Sequence, residues 1–258
     1  MKIRIMVATH KPFQMPTNSI YLPIHVGKAL NPDVDLGLIG DNTGENISLQ
    51  NANLNELTAI YWAWKNLDAD YIGLTHYRRH FSLKKKRDKF SSILSSDEAK
   101  KLCESSDIIV TNKRKYYIET IKSHFLHFPY ANAGDLVCVR EVIGERQPKY
   151  LEAFDKVMNR RWAHMFNMFI MKKPLFDEYC QFLFDVILET EKRIDMSGRK
   201  PIEARMYVSE FLLDTWLTTN GYAYKEIPFV FMENEKMLKK GIVLILRKLG
   251  FSGKKRLI

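Results

Sequence analysis

Cysteine is scarce in this chain of 258 residues: Cys103, Cys138 and Cys180, odd in number and far apart. That excludes a disulfide scaffold and a paired-cysteine zinc module, and it suits a reducing compartment. No apolar run approaches the roughly 20 residues that a membrane-spanning helix needs. The opening Met1-Lys2-Ile3-Arg4-Ile5 reads straight into a strand and not into a signal peptide, so the expectation is a cytoplasmic protein. Several chemistry-bearing motifs are missing. There is no G-x-G-x-x-G, no Walker A loop, no H-E-x-x-H and no G-x-S-x-G. Their absence weakens dinucleotide, ATPase, zinc-protease and α/β-hydrolase readings.

What is present is globular: 46% apolar and 27% charged residues, enough to bury a core of ordinary domain size. The net charge is +10, and it is uneven. Residues 236–258 hold eight Lys or Arg and no acid, which leaves +2 for everything before them. Basic clusters flank Ile242-Val243-Leu244-Ile245-Leu246. Two readings of this tail stand side by side: an amphipathic contact with an anionic membrane, or a last helix packed on the body. Nucleic acid ranks below both, because the body has no basic stripe and no recognition motif. The chain therefore divides into a body, 1–235, and a basic tail, 236–258.

The first hundred residues alternate. Ile3–Ala8 reads as a strand, Ile20–Leu30 as a helix stopped by Asn31-Pro32, and Val34–Ile39 as a second strand. Leu54, Leu57, Tyr61 and Trp64 share a helix face, with Asn53 and Glu56 spaced for a capping box. Trp62 and Trp64 fall in the middle of that helix and read as core. Tyr71–Thr75 and Asp107–Val110 read as strands with a helix at Ser96–Ser105 between them. Phe166–Met171 and Ala223–Phe231 are later strand candidates, and the face Phe176, Tyr179, Leu183 and Val186 is helical. Ser209–Thr219 is a helix ended by Asn220-Gly221. Strand–helix–strand order predicts an α/β fold, a parallel sheet flanked by helices.

Ligands of such sheets bind beyond the carboxyl ends of the strands. After the first strand stand Thr9-His10-Lys11, after the second Asp41-Asn42-Thr43-Gly44-Glu45-Asn46, and after the third His76-Tyr77-Arg78-Arg79-His80. Together they suit an anionic ligand that carries a hydrogen-bonding base or sugar. Two histidine pairs, His76/His80 and His124/His127, fall short of the three or four converging ligands of a zinc site, so no metal site is assigned.

The runs Asn55-Glu56-Leu57-Thr58-Ala59-Ile60-Tyr61-Trp62-Ala63-Trp64-Lys65-Asn66 and Gly73-Leu74-Thr75-His76-Tyr77-Arg78-Arg79 are distinctive, as are Thr9-His10-Lys11 and Asn167-Met168-Phe169-Ile170-Met171. Over about residues 1–232 they resemble the glycosyltransferase family of bacterial capsular, exopolysaccharide and O-antigen gene clusters, long catalogued as a domain of unknown function. The resemblance implies a variant GT-A fold. It implies transfer, with inversion, of a hexose from a UDP-sugar, by the characterised members galactofuranose. A lipid-linked glycan would be the acceptor, which fits a basic tail at the inner face of the plasma membrane.

Ordinary GT-A enzymes hold a divalent metal with D-x-D at the carboxyl end of a central strand. Here Asp33-Val34-Asp35 and Asp68-Ala69-Asp70 stand at the amino ends of strands and read as decoys. Arg78 and Arg79 take the D-x-D place and are expected to stabilise the leaving diphosphate, with no metal or other cofactor required. An inverting transfer needs a base for the acceptor hydroxyl. Glu210, opening the helix before Gly221, is the candidate, with Asp214 in reserve. Asp41, Asn42 and Asn46 are expected near uracil or ribose, and Asn167 near the donor sugar. Asn55 and Glu56 read as donor contacts or caps. A non-catalytic nucleotide-sugar or polysaccharide-binding module of the same fold is the alternative, and it would not need Glu210.

Overall fold

A computed structural model describes residues 1–84 and 86–233. In chain order it contains β1 (Ile3–Thr9), β2 (Tyr21–His25), β3 (Ile39–Gly40), α1 (Asn51–Leu54), α2 (Leu57–Asn66), β4 (Tyr71–His76) and β5 (Arg79–Phe81). Then come α3 (Ser96–Ser105), β6 (Ile108–Thr111), β7 (Arg114–Lys115), α4 (Ile121–Leu126), α5 (Ala133–Arg146) and α6 (Leu151–Met158). The chain continues through β8 (Trp162–Ala163), β9 (Phe169–Lys172), α7 (Lys173–Arg193), α8 (Leu212–Asn220), β10 (Lys225–Ile227) and β11 (Phe229–Phe231). The basic tail at 236–258 lies outside the described residues.

The main sheet runs β10-β6-β9-β4-β1-β2-β3, with β5 attached to β4 and β11 to β5. Along that order every strand points the same way except β9, which is antiparallel to both β4 and β6. The fold is thus α/β with a mostly parallel sheet flanked by helices. Alternation along β1 divides the core. Met6 and Ala8 face the larger cluster, with α2, α7 and α8, while Ile3, Ile5 and Val7 face the smaller one, with Leu102 and Cys103 of α3. Gly73 lies where β4 meets β9. A Cβ there would stand 2.8 Å from the Phe169 carbonyl oxygen, so the two backbones require glycine at that crossing.

Several expected elements differ. Ile20–Leu30 is not a helix: it is β2 followed by a 3-10 turn at Lys28–Leu30. Pro23 removes a helix donor and would cost about 3 kcal/mol in a helix interior, while the aromatic and branched neighbours fill a pleated slot beside β1. The second strand shrinks to Ile39–Gly40, because Gly37 (φ 64°) donates to Asp35 at 2.8 Å and turns the chain. The helix expected from Asn53 is two helices, broken at Asn55 with φ 51°. Its capping box does not form. The Asn53 side chain donates to Glu191 at 2.8 Å, and Glu56 accepts from Asn167 at 2.8 Å. A capping box does form at Ser95–Glu98, at the start of α3. Phe166–Met171 narrows to β9, and Ala223–Phe231 divides at Pro228 into β10 and β11.

Candidate functional site

A helix that leads into a parallel strand begins at the sheet's carboxyl edge. α2 leads into β4 and α8 into β10, so Glu56 and Glu210, far apart in sequence, both stand on that edge. β9 runs the other way, so its amino end reaches the same edge and delivers Phe166 and Asn167 beyond the end of β4. Carboxylates at helix starts are favoured by the backbone dipole, which partly offsets their mutual repulsion.

Phe166 and Asn167 form the hinge of this arrangement. Both have left-handed backbones, φ 78° and 50°, although neither is glycine. Such conformations cost of order 1–3 kcal/mol each and concentrate at functional sites. The turn is held from three sides. His76 Nε2 donates to the Phe166 carbonyl at 2.7 Å, which places that ring's proton on Nε2. The Phe166 N–H donates to Glu210 Oε2 at 3.4 Å. The Arg79 guanidinium carbon sits 4.0 Å from the centre of the Phe166 ring. Asn167 is buried, gives its amide N–H to Glu56, and leaves its Oδ1 without a partner.

Glu210 is half-buried. Desolvation, and then the nearby Glu56 charge, push its carboxyl up to about 7; the Phe166 N–H, Arg79 and Arg114 pull it back. A carboxyl poised there exchanges protons near neutral pH, as a general base must. Burial lowers the His76 value, Glu56 opposes it, and Arg79 and Arg78 reinforce it.

Cations gather beside this turn, at the carboxyl ends of β1 and β4; Lys11 also meets Glu233 at 3.7 Å. Lys11 Nζ and the Arg78 guanidinium carbon stand 5.1 and 5.3 Å from the Tyr77 ring centre. The His10 ring packs edge-on against the same Tyr77 at 5.6 Å. His10 is pushed below its ordinary value by burial and then by Lys11, Arg78, Arg205 and His25, so five basic side chains share one field. Thr9 folds this corner, its hydroxyl donating to the Lys11 carbonyl at 2.7 Å.

Other expected residues lie elsewhere. Asp41 is fully buried and accepts from Gly27 N–H (2.9 Å), Lys28 N–H (3.2 Å), the Thr58 hydroxyl (2.5 Å) and the Ser48 hydroxyl. It presents no face to a ligand and instead ties the turn after β2 to α2. Asn46 uses both amide hydrogens on Asn42 and Gly44 carbonyls. The Asn42–Asn46 loop runs along α2 away from Glu56: Thr43 accepts from Trp62, and the Glu45 N–H donates to Asn66. Asn55 faces inward through its carbonyl, which accepts from the Asn51 side-chain amide and the Thr58 N–H. Asp214 is buried and bonded to His164 by both oxygens, at 2.9 and 2.5 Å, so the reserve base is a scaffold group.

His80 is buried edge-on to Tyr21 and belongs to the core. His124 and His127 each bond the buried Glu119, at 3.1 Å. Among the described residues no group of three or more His, Cys, Asp or Glu is arranged to hold a metal ion. Asp68 and Asp70 meet Lys2 at the amino edge, at 3.0 and 2.6 Å. Of the two tryptophans read as core, Trp62 is buried, while Trp64 is half-exposed and stacks on Phe184.

Three site neighbours carried no pattern in the sequence. Arg205 reaches His10 from a loop pinned to α1 by the Met206 N–H bond to the Asn53 carbonyl, 2.9 Å. Arg114 and Tyr116 approach Glu210 from β7 and its following turn. The Tyr116 phenol is pushed up to about 12, first by burial.

Residues 4–221 match the family described as "Domain of unknown function (DUF4422)". The chain is also similar to the apo structure of the WbbM bifunctional glycosyltransferase, with a TM-score of 0.84 and 28% identity. That similarity covers 91% of this chain but 46% of the other, so the chain spans less than half of that protein's length. Comparison with curated proteins found no match.

Proposed function

This chain belongs to the DUF4422 family, and from that premise we propose that it is an inverting glycosyltransferase of surface-polysaccharide synthesis. The donor in this reading is a UDP-sugar, best matched by UDP-galactofuranose, and the fold is a variant of GT-A. The acceptor is a hydroxyl of a lipid-linked glycan, with the 236–258 tail on the inner face of the membrane. Likeness to a bifunctional glycosyltransferase supports the reaction class. The observation that carries the reading is Glu210: a half-buried carboxyl pushed up to about 7, on the sheet's carboxyl edge, beside a cluster of cations.

The chemistry follows from those positions. Glu210 takes the proton of the acceptor hydroxyl as its oxygen bonds to the anomeric carbon. The bond from that carbon to the diphosphate oxygen breaks, and the electron pair leaves with UDP. Arg78 and Arg79, with Lys11 and Arg205, stabilise the departing charge, and His10 offers a ring N–H as hydrogen-bond donor. Asn167 and Glu56 contact the donor sugar, and the free Asn167 Oδ1 accepts from one of its hydroxyls. Tyr77 backs the cation cluster and His76 fixes the turn. Asn55 shapes the approach through its backbone.

Thermal stabilisation by UDP, GDP, CMP and ATP, each with manganese and with chelator, tests this. Selective stabilisation by UDP that survives chelator supports the donor class and protein cations as the leaving-group stabiliser. UDP stabilisation only with manganese keeps the donor class and refutes that role. Stabilisation by another nucleotide alone overturns the donor.

A further inference from the structure

We propose that the surface built by residues 113–130 is a second membrane contact, separate from the tail, which seats the protein on an anionic lipid bilayer. The segment leaves an unusual amount of apolar surface uncovered: Tyr117 is 75% exposed, Ile118 64%, Leu126 45%, Tyr130 37% and Phe128 36%. Isolated exposed apolar residues are ordinary, but five within fourteen positions form a patch that needs an occupant. Tyr117 is also held with φ 56°, so a strained backbone keeps a large ring outside the fold.

The segment folds on itself. Buried Glu119 binds both His124 and His127, at 3.1 Å each, which ties the Tyr117–Ile118 turn to the far end of α4. Phe128 packs edge-on against Tyr130 and Tyr207, at 5.6 and 4.8 Å. The two apolar ends are therefore one surface with fixed shape.

Charge selects the occupant. Arg114, Lys115, Lys122 and Arg161 are exposed around the patch, and among the described residues none is paired with a carboxylate. Arg161 donates to the Tyr117 carbonyl at 3.2 Å, so it belongs to the same surface. Between residues 112 and 134 the single acid is Glu119, which is buried. Aromatic and aliphatic tips beside an excess of cations, in a segment whose single acid is buried, match a layer that is apolar within and anionic at its face; Asp155 near Lys122 and Glu226 on Lys113 are the neighbouring acids.

The patch adjoins the site. Tyr116, next to Tyr117, lies near Glu210, so a bilayer touching Tyr117 and Ile118 brings the carboxyl close to the headgroup layer. An acceptor anchored in lipid would then meet the base without leaving the membrane. That step rests on the glycosyl-transfer reading; the membrane contact does not.

The test uses the full chain and vesicles of phosphatidylcholine with and without phosphatidylglycerol. The unsubstituted protein should float with anionic vesicles only. Tyr117→Ser with Ile118→Ser, and separately Lys115→Glu with Lys122→Glu, should each weaken that partition by about tenfold or more, while UDP stabilisation stays unchanged. Ile118→Trp should be quenched by brominated lipid beyond the quenching of the native tryptophans. The proposal is overturned if the double variants partition as the unsubstituted chain does and Trp at 118 is not quenched; the tail would then carry the binding alone. It is overturned equally if no anionic vesicle binds, or if the patch variants change only the oligomeric state, which would assign the face to a second copy.

Discussion

Glu56 and Glu210 are joined through two consecutive residues: Asn167 donates to Glu56 at 2.8 Å, and the Phe166 N–H donates to Glu210 at 3.4 Å. One strained turn thus holds two carboxyls close enough for the Glu56 charge to raise the Glu210 carboxyl.

Glu210→Gln separates chemistry from stability. Loss of the base should cut turnover by about 10²–10⁴-fold while UDP still binds. The folded carboxyl titrates near 7, above its ordinary range, so folding favours its protonated form. Its contribution is present in acid and lost as pH rises through about 7. Glutamine stays neutral throughout, so the variant should be more stable by about 3 kcal/mol at alkaline pH and unchanged in acid. Melting curves at both pH values read this out. A destabilised variant at alkaline pH would refute the electrostatic account.

The pH profile of kcat/KM should rise with pH through about 7 as Glu210 ionises. Glu56 raises that value, so Glu56→Gln should move the rising limb toward acid. A limb that stays in place would mean that another group sets it.

Arg78→Ala and Arg79→Ala should each lower turnover by about 10²-fold or more, with little change in melting temperature. Arg79→Lys should restore little, because the planar stack on Phe166 is lost with the guanidinium. Arg205→Ala should weaken donor binding. Near-normal turnover in both alanine variants would remove these side chains from the leaving-group role.

Asp214→Asn should behave oppositely to Glu210→Gln. Asp214 holds the His164 N–H at 2.9 Å and the imidazole at 2.5 Å, both groups buried. Breaking one partner of a buried pair costs about 3–5 kcal/mol. The expected result is a large fall in melting temperature, measured by calorimetry, with donor affinity retained in the folded fraction.

Where local chemistry decided the structure, it was legible. Ser96–Ser105 is a helix at its expected bounds, and Gly221 ends α8 with φ 65°. The α/β class followed from alternation. β2 was misread because a short apolar run has no period that separates helix from strand, and Pro23 was the signal that could have decided it. Strand direction was not legible either, since inward residues recur alike in parallel and antiparallel strands. Glu210 was singled out through the resemblance to inverting GT-A enzymes, whose base opens a late helix that ends at a glycine and passes into a strand. Asp41 and Asp214 look equally available in sequence; only packing shows that their oxygens are already occupied. Arg205 sits on a loop whose position depends on distant Asn53.

The antiparallel strand has a consequence for how the chain is made. β9 lies between β4 and β6, both synthesised before it. Until Lys172 leaves the ribosome, the two earlier strands have an open slot between them, and no shorter nascent chain can close the sheet. Vectorial folding must therefore wait for the second half of the chain. The same late strand carries Asn167 to Glu56, so that contact arrives as the slot between β4 and β6 fills, while Phe166 waits for Glu210, which is made later.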